Sequence, residues 1–142
     1  MSYKIVVSKG KENFDHAFFI RTEVFIKEQG FVDEFDEIDN VAIQVVIYDN
    51  ETPIATARAF LDESGHYHAG RIAVMKDYRK KGIGRILMDA IENQVKKEGG
   101  KELVLSAQRR AVGFYEKVGY ISYGDEYLDE GYPHIDMKKD LI

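Results

Sequence analysis

Cysteine is absent from the 142 residues. That removes disulfides, thiolate metal sites and a cysteine nucleophile together, and it fits a reducing compartment. Proline is scarce, with two residues, and no Ser/Gly-rich tract or internal repeat is visible, so nothing reads as an interdomain linker. Long apolar runs are missing as well. None approaches the roughly 18 residues that would span a membrane, and the start MSYKIVVSKGKE holds no apolar core of secretory length. Basic excess is also lacking. The formal net charge of -5 argues against a nucleic-acid partner. Together these absences predict one cytoplasmic domain over residues 1–142 without membrane or nucleic-acid partners; a monomer or homodimer is expected.

What is present suits an ordinary globular core: 44% hydrophobic and 32% charged residues. Tyr3, Ile5 and Val7 alternate as in an edge strand. A helix is predicted from about Glu12 to Gln29, with an apolar stripe of Phe14, Ala17, Phe18, Val24 and Phe25. Asp33 to Asn40 reads as an acidic loop. Val41–Tyr48 and Pro53–Leu61 read as strands joined by a turn at Asp49-Asn50-Glu51, and Tyr67–Met75 as another. The strongest helix spans about Gly82 to Glu98. Ile83, Ile86, Leu87, Ala90, Ile91 and Val95 share one face, and Gly99-Gly100 stops it. Leu103–Ser106 is a short buried strand, Arg109–Val118 a short helix, Asp125–Glu130 a solvated loop, and Ile135–Lys139 a final strand. One strand–helix–strand unit among more numerous strands implies an α+β fold with a mixed sheet.

The entrance to the central helix carries the chemistry. A helix N-terminus has unpaired N–H groups and a partial positive charge, and Ser, Thr or Asp usually stands there. Here Arg79, Lys80, Lys81 and Arg85 stand there with Gly82 and Gly84. Each misplaced charge costs on the order of 0.3–1 kcal/mol, so the arrangement makes sense with an anion bound close to glycine backbone. The bland alternative is a solvated basic turn. A Walker loop would need Gly-Lys-Ser/Thr, and Ile83-Gly84-Arg85 fails it. A dinucleotide fingerprint would need a third glycine where Leu87 stands. The pattern Arg-x-x-Gly-x-Gly, after a strand and before an amphipathic helix, fits completely.

The segment Arg71 to Gly84 resembles the acetyl-CoA-binding motif of the GNAT superfamily of N-acetyltransferases. Leu105-Ser106-Ala107-Gln108 followed by Ala111 to Tyr120 is similar to the family's second cofactor motif. Arg21 with Val24-Phe25-Ile26-Lys27-Glu28-Gln29, and Gly131 to Met137, resemble the start and end of a bacterial subgroup. The resemblance covers nearly the whole chain. It implies a central mixed, mostly antiparallel twisted sheet flanked by helices, with a splayed parallel strand pair at the cofactor cleft. It also implies acetyl-CoA as co-substrate and an amine acceptor, small molecule or peptide.

Carried over, Ile72, Ala73 and Val74 would hold the pantetheine arm by backbone groups, and an N–H near Val74 would polarise the thioester carbonyl. Arg79, Lys80, Lys81, Gly82, Ile83, Gly84 and Arg85 would hold the pyrophosphate. Phe114, Tyr115 and Gln108 would complete the cofactor site, with Gln108 in place of the asparagine common there in the wider family. Tyr115 would protonate the departing thiolate, its phenol having an ordinary pKa of about 10; otherwise Phe114 and Tyr115 are core aromatics. With no GxSxG and no cysteine, direct transfer in a ternary complex is expected. Glu28 and His134 are the candidate bases. Arg21 and Glu28 share the buried helix face and would meet the acceptor, unless they form an internal ion pair with each other or with the acidic loop. Gln44 stands where subgroup sequences tend to carry a histidine. The acidic stretches Asp33–Asp39 and Asp125–Glu130 would, on the sharper reading, rim a cleft for a cationic amine. His16, His66 and His68 show no metal-ligand pattern, and no metal is expected. The rival functions are a non-catalytic acyl-CoA-binding module and a nucleotide-binding domain.

Overall fold

The computed structural model describes residues 3–31 and 36–142. Seven strands form one sheet in the order β1-β2-β3-β4-β5-β7-β6. They are β1 (Tyr3–Lys9), β2 (Ile43–Asp49), β3 (Thr52–Leu61), β4 (Tyr67–Val74), β5 (Glu102–Gln108), β6 (Ile121–Asp129) and β7 (Tyr132–Asp140). Helices α1 (Phe14–Arg21), α2 (Ile83–Lys97) and α3 (Val112–Lys117) complete the fold. Every strand pair is antiparallel except β4 with β5, which α2 connects. The expected α+β class and mixed, mostly antiparallel sheet are present.

Strand alternation divides the core in two. Ile43, Val45 and Ile47 of β2 pack with Leu87, Met88, Ile91 and Val95 of α2. Val46 and Tyr48, the intervening positions, pack with Ala17, Ile20, Val24 and Phe25 on the opposite face. A strand buried on both faces must be apolar almost throughout, as β2 is. Ala55, Ala57 and Ala59 of β3 share the α2 core and leave room for the larger helix side chains.

α2 matches its predicted stripe, and Gly99 ends it at φ +94°. Gly100 must stay bare, because a Cβ there would lie 2.3 Å from Val95 Cγ1. β1 lies at the sheet edge as expected, although Ile5 and Val7 are exposed.

Four expectations change. The first helix is regular only to Arg21 and continues as a π-helix over Thr22–Glu28. Its buried stripe is Ala17, Ile20, Arg21, Val24 and Phe25, while Phe18 is exposed and Phe14 half-buried. Within the acidic loop, residues 33–35 lie outside the described residues. Glu37–Asn40 is a 3₁₀ turn closed by a capping box between Asp36 and Asp39. Asp125–Asp129 belongs to edge strand β6, not to a loop, and the turn to β7 follows at Glu130 and Gly131, with φ +51° and +82°. Finally, β5 continues past Ser106 to Gln108.

Candidate active site

A gap opens between the two parallel strands. Pairing joins Tyr67 to Leu103, His68 to Val104 and Ala69 to Leu105, and stops there. Beyond it, β5 stays bonded to β7 as far as Gln108 opposite His134, while β4 follows β3 through a bulge. Gly70 faces Arg58 and Ala73 faces Thr56, so Arg71 and Ile72 together oppose Ala57. Arg71 has φ +51°, the left-handed conformation such bulges use. After the bulge Met75 N–H donates to the Ile54 carbonyl at 2.8 Å, on the β3 side. Strand alternation therefore turns the Val74 N–H and carbonyl toward the gap. A cleft of about 510 Å³ lies here, within the size range of small-molecule sites.

The start of α2 adjoins the far end of β4. Lys80 and Gly82 are both left-handed, with φ +63° and +80°. No side chain caps the helix and no acidic residue enters its first turn, so its N–H groups and partial positive charge suit an anion. Lys80, Lys81 and Arg85 are exposed around it, and Lys81 Nζ lies 5.4 Å above the Tyr78 ring. Ile83 is core rather than surface. The second glycine has a packing reason as well: a Cβ on Gly84 would sit 2.9 Å from Phe114 Cζ.

Arg79 differs from the rest of the loop. Its Nε donates to the Val74 carbonyl at 2.9 Å, and its two terminal nitrogens donate to both Glu28 oxygens at 2.6 and 2.7 Å. It is an internal bracket rather than an open cation. Hydrogen bonding to Arg79 holds the Glu28 carboxyl below its ordinary range despite some desolvation. Glu28 was expected on the buried face near Arg21. Instead its side chain is about a third exposed and belongs to Arg79. Each oxygen accepts one bond from Arg79, and the lowered pKa makes the carboxylate a weaker base.

Arg21 is also corrected. It is fully buried and donates to Asp39 at 2.8 and 3.1 Å, so it meets the acidic turn and not the cleft. Asp39 accepts as well from Arg58 at 2.9 Å and Gln44 at 3.3 Å, and Arg58 reaches Asp36 at 2.7 Å. Burial pushes the Asp39 carboxyl up, but the two guanidiniums outweigh it and hold it well below the usual carboxylate range. Asp36 and Asp39 are thus neutralised by arginine and offer little to a cationic acceptor. Asp129 and Glu130 do line the cleft. Arg58 went unnoticed in the sequence, although a lone charge within the apolar run Ile54–Phe60 was a signal.

Tyr115 and His134 both line the cleft. Tyr115, on α3, is 8% exposed and meets Phe114 and Tyr120 edge-on, with centroids 5.1 and 5.9 Å away. Burial pushes its hydroxyl pKa up, so the phenol stays protonated at neutral pH. His134 Nδ1 lies 2.8 Å from the Tyr132 carbonyl. A carbonyl only accepts, so in the neutral ring Nδ1 carries the proton and Nε2 the lone pair. Gln108 donates to Gln29 at 3.1 Å and closes the rim. Ile72 lines the cleft and Ala73 is buried behind it. His68 is engaged by Asp62 at 2.8 Å. No cluster of three or more His, Asp or Glu that could hold a metal occurs among the described residues. No described helix is long and apolar enough to cross a membrane.

Comparison with known proteins agrees with this geometry. Residues 10–141 match the model of the acetyltransferase (GNAT) domain. The uncharacterized N-acetyltransferase YjcF of Bacillus subtilis is 39% identical, covering 96% of this chain and 99% of its own. The crystal structure of a Lactobacillus plantarum protein, provisionally assigned as an N-acetyltransferase, superposes with a TM-score of 0.90 at 29% identity over all of both chains. An aminoglycoside 6'-N-acetyltransferase complexed with coenzyme A shares the fold, with a TM-score of 0.74 at 17% identity over 96% of this chain and 97% of its own. The splayed strands, the basic helix start and these relatives converge: the chain belongs to the GNAT acetyltransferases and is an acyl-CoA-dependent N-acyltransferase.

Proposed function

We propose that the whole chain acts as one catalytic domain that transfers acetyl from acetyl-CoA directly to an amine, small molecule or peptide, within a ternary complex. The observation that carries this reading is the cleft at the open edge of β4, lined by Ile72, Gln108, Tyr115 and His134, together with the uncapped basic start of α2 that follows β4 in the chain. The coenzyme A complex of the aminoglycoside enzyme is in keeping with that choice of co-substrate. Backbone N–H groups at Gly82–Arg85, with Lys80 and Lys81, take the pyrophosphate. Ile72 offers backbone groups to the pantetheine amides. Gln108 lines the cleft, and Phe114 packs against Gly84 at the start of α2.

The reaction needs a neutral amine nitrogen to attack the thioester carbonyl carbon. The C–N bond forms, and the developing oxyanion meets the Val74 N–H. His134 Nε2, directly or through water, takes the amine proton. As the C–S bond breaks, Tyr115 gives its hydroxyl proton to sulfur. Imidazolium and phenolate then return to their starting states by one proton exchange through solvent. His134 is preferred to Glu28 as the base because it lines the cleft with its Nε2 lone pair open, whereas the Arg79 ion pair lowers the basicity of Glu28.

A free-thiol assay over a panel of amines with acetyl-CoA tests the reading, alongside calorimetry with CoA. CoA binding and amine-dependent thiol release are expected. CoA binding without thiol release over a broad panel would leave a binding module in place of an enzyme.

A further inference from the structure

Glu28 and Gln29 end the π-helical turn, and they hold three separate parts of the fold. Glu28 takes both terminal nitrogens of Arg79, 51 residues away. The Gln29 side chain accepts from Gln108 at the end of β5, and its carbonyl accepts from the Tyr132 hydroxyl of β7 at 3.1 Å. The same turn supplies Phe25 and Gln29 to the cleft wall. Arg79, in turn, is fixed at a third point by its Nε bond to the Val74 carbonyl.

A planar fork held at all three nitrogens has one orientation. It sets the distance between the gap-facing end of β4 and the start of α2. We propose that Glu28 is a positioning residue: through Arg79 it holds the cofactor loop in its binding geometry and links that loop to the turn that walls the acceptor side. The proposal rests on the CoA reading of residues 79–85. It follows that CoA binding steadies the turn, and by reciprocity that an acceptor bound against the turn favours CoA.

The test is calorimetry with CoA on the wild type, Glu28→Gln, Arg79→Met and the double variant, with hydrogen exchange read over residues 22–29. Each single change is expected to weaken CoA about fivefold, as for a well-formed, partly exposed ion pair. The double variant should bind no more weakly than the weaker single. CoA should slow exchange over 22–29 in the wild type and not in Glu28→Gln. Glu28→Asp keeps the charge but spans less, and should fall between. Wild-type affinity and exchange in Glu28→Gln, with only a lowered melting temperature, would reduce the pair to a structural tie and overturn the proposal. Additive losses in the double variant would overturn it too. If the wild type itself does not bind CoA, the underlying assignment of the loop fails and the proposal with it.

Discussion

Tyr115 is the acid in the proposed reaction, and its surroundings are informative. It packs edge-on between two aromatic rings, and burial keeps it protonated. Replacing it by phenylalanine removes one oxygen from a site that stays apolar. CoA affinity should hold while kcat falls about 10²–10⁴-fold, as for loss of a general acid. Unchanged kcat with a competent amine would return Tyr115 to a packing role. Asp39 is the opposite kind of residue, buried for structure. Asp39→Asn leaves Arg21 and Arg58 facing a neutral amide. The loss should be about 3–5 kcal/mol in urea unfolding, and a loss under about 1 kcal/mol would show that the cluster relaxes or hydrates. The position of Tyr115 at the cleft was legible from sequence because a motif surrounds it. The Arg21–Asp39–Arg58 cluster was not, because its members come from α1, a 3₁₀ turn and β3, and no local pattern announces which acid meets which arginine.

At the scale of elements, period and punctuation decided what could be read. α2 announces itself through six apolar positions on one face and a glycine stop. β6 does not, because both of its faces are exposed and a register shift between Tyr123 and Tyr127 breaks its alternation. The π-helical stretch hid for a different reason: five-residue bonding leaves the apolar spacing of Val24 and Phe25 indistinguishable from that of an α-helix. The loop before α2 was legible in composition but not in conformation. Gly82 stands at φ +80° with nothing near its missing Cβ, so its requirement is conformational rather than steric. Gly82→Ala should cost about 1–2 kcal/mol, the penalty of a left-handed non-glycine residue, and should weaken CoA as the loop relaxes. Equal stability and affinity in the alanine variant, measured by urea unfolding and calorimetry, would show that the loop tolerates another conformation.

For the whole molecule, charge burial sets a pH window. Asp39 and Asp36 titrate below their unfolded values, so their contribution is complete above about pH 4. It is lost as pH falls from there through the depressed folded values. Tyr115 and Tyr120 titrate above theirs, Tyr120 through burial and then the neighbouring Glu92 charge. Their contribution is present below about pH 10 and lost as pH rises beyond it. Melting temperature should therefore be level from about pH 5 to 9 and fall on both sides. A flat profile down to pH 3 would contradict the acid limb. The short β4–β5 seam has a mechanical consequence on the same scale. Four strands lie on one side of it and three on the other, and the two plates meet at three consecutive positions. From Ala69 the free run of β4 reaches Val74, a lever arm of about 16 Å at the usual rise per residue. A relative tilt of about 5° about the seam would move that tip by about 1.4 Å, comparable with half a hydrogen-bond length. A change of angle between the two groups of strands would therefore alter the aperture, and the bonds that Glu92 of α2 accepts from Tyr120 and from Lys139 of β7 are one place, away from the gap, where the helix ties them together.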